Sequence, residues 1–179
     1  MTSDDRRDYS NKKYDQFAQC LGRLALAWNS LHLELFEIFW AVSGYGNGMI
    51  PGAIWYALKV DRAQRDILKD LVNSKAIGIN LSKDQRREIK WVLDKTDNLE
   101  NIRNDFIHTP FAMDNSKVFP LHTGQHKRGL SFEGRAVLAE SNWVFKSVSV
   151  LSIYAEQLAE NVRKPTLPMP ERPKLPTRP

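Results

Sequence analysis

The chain has 179 residues, 42% of them hydrophobic, which is enough to bury a sizeable core within one domain. Its formal net charge of +5 is unevenly spread, because five basic residues and one acidic residue lie from Arg163 onward, leaving 21 basic and 20 acidic residues before it. Net charge therefore gives little support for a nucleic-acid-binding surface on the body of the chain, and any affinity for RNA must come from a local basic cluster.

Cysteine content and hydropathy exclude several further classes of protein. Cys20 is the only cysteine, which excludes an intrachain disulfide framework and a cysteine-based zinc cluster. Residues 1–14 are charged and polar, so we expect no signal peptide. No run of about 18 uncharged apolar residues is present, which argues against a transmembrane segment. These features predict a soluble, cytoplasmic protein with no membrane partner.

Three segments of the chain differ in composition. A polar N-terminal extension covers residues 1–13, a body with helical periodicity covers 14–163, and a proline-rich basic tail covers 164–179. The body contains four long helical patterns joined by short links. We therefore predict an all-α protein built as an antiparallel four-helix bundle, with an irregular loop or small hairpin between the third and fourth helices.

The first helix, predicted over residues 14–43, has two apolar faces. One face carries Leu21, Leu24, Trp28, Leu31, Leu35, Ile38 or Phe39, and Val42, and the second carries Leu33, Phe36 and Trp40. Such a helix is central in its bundle or contributes to a subunit interface, and its aromatic content favours the interface. Within it, His32 or Glu37 could orient residues of a catalytic cleft. The alternative is a satisfied core histidine and two solvated glutamates, Glu34 and Glu37.

The second helix is predicted over residues 52–75 and carries a modest basic edge. Three glycines within residues 44–48 precede it and fail the test for a nucleotide-binding loop, so a flexible connection is expected. Arg62, Arg65 and Lys69 are spaced three and four apart and could guide an RNA backbone. The alternative is ordinary helical ion pairing, since three aspartates interleave with them: Asp61, Asp66 and Asp70.

The third helix is predicted to begin at about Lys83, after a capping box formed by Ser82 and Gln85. Near its end Arg103 falls inside the apolar stripe, where a guanidinium needs an anionic partner. That partner is either a carboxylate of the fold or a phosphate from outside. Pro110 disfavours helical geometry just before it, which predicts a loosened last turn around His108.

Arginine and histidine together suit the metal-free cleavage of RNA. Arg103 can hold a phosphate, and His108 can move protons near neutral pH. On an ideal helix the two side chains point about 140° apart, so they converge only if the last turn unwinds or a second copy contributes. The alternative is that Arg103 pairs with a core carboxylate and His108 caps the helix end.

Residues 103–108, Arg-Asn-Asp-Phe-Ile-His, resemble the signature of the HEPN superfamily: an arginine, a polar residue, a short gap and a histidine. The resemblance implies a four-helix bundle that dimerises around a composite cleft. It also implies a metal-independent endoribonuclease without a cofactor, often a toxin or defence effector, although other members are inactive binding modules. Arg103 and His108 would be catalytic, with Asn104 supporting them.

After Pro110 the helical pattern stops, and residues 111–134 are predicted to form the loop or small hairpin. His122 and His126 are four apart in this segment, but Gly124 between them argues against a helix, so we expect no metal site. Lys127 and Arg128 make the segment basic, which favours contact with an RNA substrate or a partner.

The fourth helix is predicted over residues 135–162, followed by the tail. Four prolines of the tail fall every third residue, the repeat of polyproline II: Pro170, Pro173, Pro176 and Pro179. Arg172, Leu175 and Arg178 would line another edge. Three interpretations stay open for this tail: docking on a proline-reading protein partner, packing on its own helices, and a solvated basic segment.

Two functions are compatible with these features. The first is a homodimeric, metal-independent endoribonuclease of HEPN type that takes RNA as its substrate. The second is a non-catalytic helical module that uses the same bundle for dimerisation and protein interaction.

Overall fold

A computed structural model describes residues 3–44, 46–74, 80–114, 117–120 and 127–179. Over these residues the chain is mostly helical, with six helices and one two-stranded sheet, which confirms the all-α class. The helices are α1 Ser3–Ser43, α2 Met49–Ala57, α3 Asp61–Asn73, α4 Lys83–His108, α5 Lys127–Leu130 and α6 Val137–Arg163. Strands β1 Phe111–Asp114 and β2 Lys117–Pro120 lie between α4 and α5. Within the described ranges, no helix has the length and apolar character needed to span a membrane.

The chain divides into two compact units. Unit 1 comprises Met1–Leu26, Leu99–Ser147 and Pro176–Pro179, and unit 2 comprises Ala27–Asn98 and Val148–Leu175. Helices α1, α4 and α6 each contribute residues to both units. The candidate motif, residues 103–108, therefore belongs to unit 1, whereas the predicted basic edge of Arg62, Arg65 and Lys69 belongs to unit 2.

Helix α1 begins at Ser3, within the stretch predicted as a polar extension, rather than at Tyr14. Its first predicted apolar face is largely buried, including Leu24, Trp28, Leu31, Leu35, Ile38, Phe39 and Val42. The second face is mixed, because Phe36 is buried whereas Leu33 is exposed. Periodicity thus identified the side of α1 that faces the core.

The single second helix predicted over residues 52–75 is wrong, because two helices, α2 and α3, occupy this region. Leu58 and Val60 are extended, with φ/ψ of −79°/113° and −130°/138°, and interrupt the helix. The side-chain amide of Gln64 donates to the carbonyl oxygens of Trp55 at 3.2 Å and Leu58 at 3.4 Å. A carbonyl at a helix end has no partner within the helix, so this side chain stabilises the break.

Helix α4 begins with the predicted capping box, which is confirmed. The backbone N–H of Gln85 donates to Ser82 Oγ at 3.1 Å, and the backbone N–H of Ser82 donates to Gln85 Oε1 at 2.9 Å. The two bonds satisfy backbone donors that the first turn leaves open. The apolar stripe of this helix is buried at Ile89, Val92, Leu93, Leu99 and Phe106.

A small antiparallel hairpin follows α4, as the sequence allowed. Phe111 pairs with Pro120 and Asp114 with Lys117 at its two ends. In unit 1 the ring of Phe111 lies 4.8 Å from that of Phe17 and 5.4 Å from that of Phe132, between ring centroids. These aromatic contacts fix the start of the hairpin directly after the candidate motif.

Candidate functional site

Arg103 and Asn104 form a local pair near the end of α4. Both side chains are half-buried, and Arg103 Nη1 donates to Asn104 Oδ1 at 2.9 Å. An amide oxygen is a neutral acceptor, and this hydrogen bond orients the guanidinium.

His108 is the last residue of α4, and its side chain is exposed. The amide of Thr109 donates to the carbonyl oxygen of Asp105 at 3.0 Å, the bond of a regular α-helical turn. The prediction of a loosened last turn is therefore wrong. Because the helix stays regular, Arg103 and His108 keep the divergence of about 140° expected from their spacing. The route through an unwound last turn is therefore not seen, and a contribution from a second copy stays a prediction.

An apolar cavity of about 210 Å³ lies in unit 1 beside this helix end. Ile107 and Thr109, the sequence neighbours of His108, both line it. The other lining residues are Tyr14, Phe17, Ala18, Leu21, Phe106, Phe111, Ala112 and Val118. Its aromatic walls and its volume suit a flat ring of small size.

The predicted basic edge of α3 is not a continuous exposed surface. Arg62 is exposed, but Arg65 is 0% exposed, and its Nε donates to Asp97 Oδ1 at 2.7 Å. Lys69 Nζ donates to the other oxygen of Asp97 at 2.6 Å. Arg65 and Lys69 are thus engaged in ion pairs, as the alternative predicted. Their shared partner, however, is Asp97 on α4 and not one of the three interleaved aspartates. Arg65 does not lie where it could guide an RNA backbone.

The charges of this cluster are mutually stabilised. Burial raises the pKa of Asp97, but the hydrogen bonds from Lys69 and Arg65 outweigh it, so the pKa lies below its usual value. The hydrogen bond to Asp97 in turn raises the pKa of Lys69. Both shifts favour the ionised pair within unit 2.

His32 is a hydrogen-bonded core histidine of unit 2. Its Nε2 lies 3.3 Å from Arg65 Nη1, and its Nδ1 lies 3.3 Å from Gln64 Oε1. Arginine only donates, so Nε2 must accept and the proton of a neutral imidazole sits on Nδ1. Glu37 forms an ion pair with Arg163. These contacts give His32 and Glu37 structural partners, and a supporting role toward Arg103 or His108 stays a prediction.

The basic segment after the hairpin is only partly described. Lys127 begins α5, and Arg128 in the same helix is exposed. His122 and His126, for which we expected no metal site, lie outside the described residues. Among the residues that are described, no group of three or more His, Cys, Asp or Glu side chains could hold a metal ion.

The resemblance to HEPN proteins depends on residues 103–108 of one helix. Comparisons with known family models, curated proteins and solved structures gave no match. What the structure adds is geometric: Arg103 oriented by Asn104, an exposed His108 in the last turn, and an apolar cavity beside it.

The proline-rich tail packs on its own helices, one of the three interpretations left open by the sequence. In unit 2, Arg172 donates from Nε and Nη2 to the two carboxylate oxygens of Glu88, each at 2.8 Å. Its guanidinium carbon lies 5.0 Å from the centre of the Trp91 ring. The Tyr154 hydroxyl donates to Glu88 Oε2 at 2.9 Å. We call Glu88 and Trp91 clamp A.

A second site of the same construction lies in unit 1. Arg178 Nε lies 3.2 Å and 3.0 Å from the two oxygens of Glu140, and its guanidinium carbon is 5.1 Å from the Trp143 ring centre. The indole N–H of Trp143 donates to the carbonyl oxygen of Pro176 at 2.8 Å. Arg135 also donates to Glu140, at 3.2 Å. We call Glu140 and Trp143 clamp B.

Both clamps were missed in the sequence, although a signal was present. Each clamp has the pattern Glu-x-x-Trp on a helix, and each bound arginine is followed by proline: Glu88/Trp91 with Arg172, and Glu140/Trp143 with Arg178. An i, i+3 spacing places the carboxylate and the indole on one helix face. The same pattern occurs a third time at Glu37 and Trp40, which contact Arg163, an arginine at the end of α6 that is followed by lysine. The signal for a match between helices and tail is therefore the pattern together with the two Arg-Pro pairs.

We predict that clamp A makes the fold sensitive to acid. Hydrogen bonds from Arg172 lower the pKa of Glu88 to about 2 from 4.5, although burial opposes the shift. The stability that Glu88 contributes is therefore complete above about pH 4.5 and is lost as the pH falls toward about 2. Chemical unfolding measured across this window should show a smaller loss of stability in Glu88→Gln than in the wild type. Parallel curves for the two proteins would contradict this assignment.

Proposed function

We propose that the protein is a metal-independent endoribonuclease of HEPN type. In this proposal the helices form a four-helix bundle, and two copies build a composite cleft from Arg103, Asn104 and His108. The observation that carries the proposal is the arrangement at the end of α4, where Asn104 orients a half-buried arginine and an exposed histidine follows in the last turn. A cationic group for phosphate and a group for proton transfer are the parts that RNA cleavage needs.

The proposed reaction uses the 2′-hydroxyl of RNA as its nucleophile. The 2′-oxygen bonds to phosphorus as the bond to the 5′-oxygen breaks. His108 takes the proton from the 2′-hydroxyl or gives one to the leaving 5′-oxygen, and a water molecule makes the other proton transfer. Arg103 stabilises the charge that develops on the phosphoryl oxygens. Asn104 positions Arg103 through the contact at 2.9 Å. The products are a 2′,3′-cyclic phosphate and a 5′-hydroxyl.

The geometry of a regular helix supports a contribution from a second copy. Because Arg103 and His108 diverge by about 140° on one α4, we assign the arginine of each reaction centre to one copy and the histidine to the other. RNA would then approach a homodimer, with Arg62, Lys127 and Arg128 as candidate backbone contacts. The apolar cavity lined by Ile107 and Thr109 is a candidate binding site for a nucleobase. A cytoplasmic toxin or defence role belongs to this proposal.

The direct test is cleavage of single-stranded RNA by the purified wild type in excess EDTA. We expect products with 2′,3′-cyclic phosphate ends, because the 2′-hydroxyl is the nucleophile. The matched control is the same oligonucleotide with 2′-O-methyl groups, which should stay intact. Cleavage of both substrates, dependence on an added metal ion, or no cleavage at all would each exclude the proposed reaction.

A non-catalytic interaction module is the second candidate, and the surface of α2 favours it. This helix carries no charged residue, and Met49, Ile50 and Tyr56 are exposed on it. Exposed apolar side chains on one short helix suit a protein interface. The tail could also meet a protein partner in this case. A protein that dimerises at low concentration yet leaves RNA intact would favour the module over the enzyme.

A further inference from the structure

We propose that clamps A and B are binding sites for Arg-Pro segments of another protein chain, and that the tail is their resident ligand. The occupant would be an extended, proline-rich peptide in which proline follows the bound arginine. The proposal does not depend on the ribonuclease activity, because the motif of Arg103 and His108 contributes no residue to either clamp.

The chemistry of each clamp selects a guanidinium group. The side chains of Glu88 and Glu140 are only 5% and 2% exposed, and a buried carboxylate is stabilised by charged donors to both of its oxygens. Arg87 and Tyr154 each contact one oxygen of Glu88, and Arg135 contacts one oxygen of Glu140, whereas the tail arginine contacts both oxygens of its carboxylate. Arg172 does this with two parallel donors, Arg178 does it with Nε between the two oxygens, and both guanidinium groups stack on an indole ring. Lysine offers a single ammonium group and lacks the planar fork, so each clamp should discriminate strongly between the two residues.

Clamp B recognises the backbone of the peptide as well as its side chain. In clamp B the indole N–H of Trp143 donates to the carbonyl oxygen of Pro176, two residues before the bound Arg178. Polyproline II exposes its carbonyl groups because it has no internal hydrogen bonds. Reading such a carbonyl beside an aromatic ring is the way in which proline-rich peptides are bound elsewhere. The site therefore fits a peptide and not only a free guanidinium.

The resident arginines are accessible to exchange. The side chains of Arg172 and Arg178 are 41% and 40% exposed, whereas the carboxylates that they contact are buried. Each arginine thus covers its clamp from the solvent side, where a competing arginine can approach. Because the tail is covalently attached, its effective concentration at the clamp is in the millimolar range. An outside ligand must therefore be present at a higher concentration, or must bind while the resident arginine is displaced.

Clamp B can be tested in the full chain carrying Arg178→Ala, which removes the tail arginine from Glu140 and Trp143. The probe is a synthetic peptide, Leu-Pro-Thr-Arg-Pro, and the readout is the NMR signal of the Trp143 indole N–H. We expect saturable binding, at least about tenfold weaker binding of the peptide with lysine in place of arginine, and weaker binding to the wild type. The Trp91 indole signal is the internal control, because Arg172 still occupies clamp A and this signal should not move.

A second variant keeps the test decisive if Arg178→Ala does not fold. Arg178→Lys retains a positive charge beside Glu140 but loses the planar guanidinium that contacts both carboxylate oxygens and stacks on Trp143, and the arginine peptide should displace its lysine. Absence of binding to the folded variant, or equal binding of the arginine and lysine peptides, would overturn the proposal. Equal movement of the Trp91 and Trp143 signals would also overturn it, since binding would then not be specific to the emptied clamp.

Discussion

Alanine at His108 or at Arg103 is expected to lower the rate of RNA cleavage at least about 100-fold, measured in excess EDTA under single-turnover conditions. His108→Ala removes the group that moves protons, and Arg103→Ala removes the charge that stabilises the phosphoryl oxygens. Asn101→Ala is the matched control, because this exposed residue lies in the same part of α4. Equal cleavage by the wild type and all three variants would show that Arg103 and His108 take no part in the reaction.

Mixing the two inactive variants should restore activity. If each reaction centre takes Arg103 from one copy and His108 from the other, a mixed dimer has one intact centre and one that lacks both groups. Random exchange makes half of the dimers mixed, so about a quarter of the wild-type activity should return. This result separates the composite cleft from a site within one chain, because a within-chain site would leave every centre with one missing group. Mixtures as inactive as their components would contradict the composite cleft.

Local features of the fold were predictable because their causes lie within a few residues. The start of α4 follows from Ser82 and Gln85, which bond to each other's backbone across one turn. The hairpin after Pro110 follows from the end of helical periodicity. Arg103 and Asn104 are adjacent, so a contact between them is also a short-range property.

The sequence patterns could not predict features that depend on residues far apart in the chain. Arg65 has the spacing of a helix-surface cation, yet its partner Asp97 is 32 positions away and makes it a core residue. The break between α2 and α3 is stabilised by Gln64, a side chain that periodicity cannot connect to a carbonyl. Arg172, which occupies clamp A, lies 84 positions after Glu88. Spacing shows which residues share a helix face but not which element that face meets.

Arg65→Ala is expected to lower the free energy of unfolding by about 3 kcal/mol, and with it the melting temperature by roughly 6–12 °C. The guanidinium is fully buried, and its loss deprives Asp97 of one partner and the Nε2 of His32 of its donor. The value lies at the low end for a broken buried pair, because Lys69 still contacts Asp97 and the Asp97 side chain is 29% exposed. Thermal and urea unfolding followed by circular dichroism would measure the change.

The matched control is Arg62→Ala, one turn earlier on α3, where the side chain is exposed. A surface substitution of this kind changes the free energy of unfolding by no more than about 0.5 kcal/mol. The two variants also separate roles: Arg62→Ala should weaken RNA binding if this edge meets a substrate, whereas Arg65→Ala should act through folding alone. Equal stability of both variants would place the Arg65 side chain on the surface, because only a solvated guanidinium can be removed without leaving Asp97 and His32 unsatisfied inside the fold.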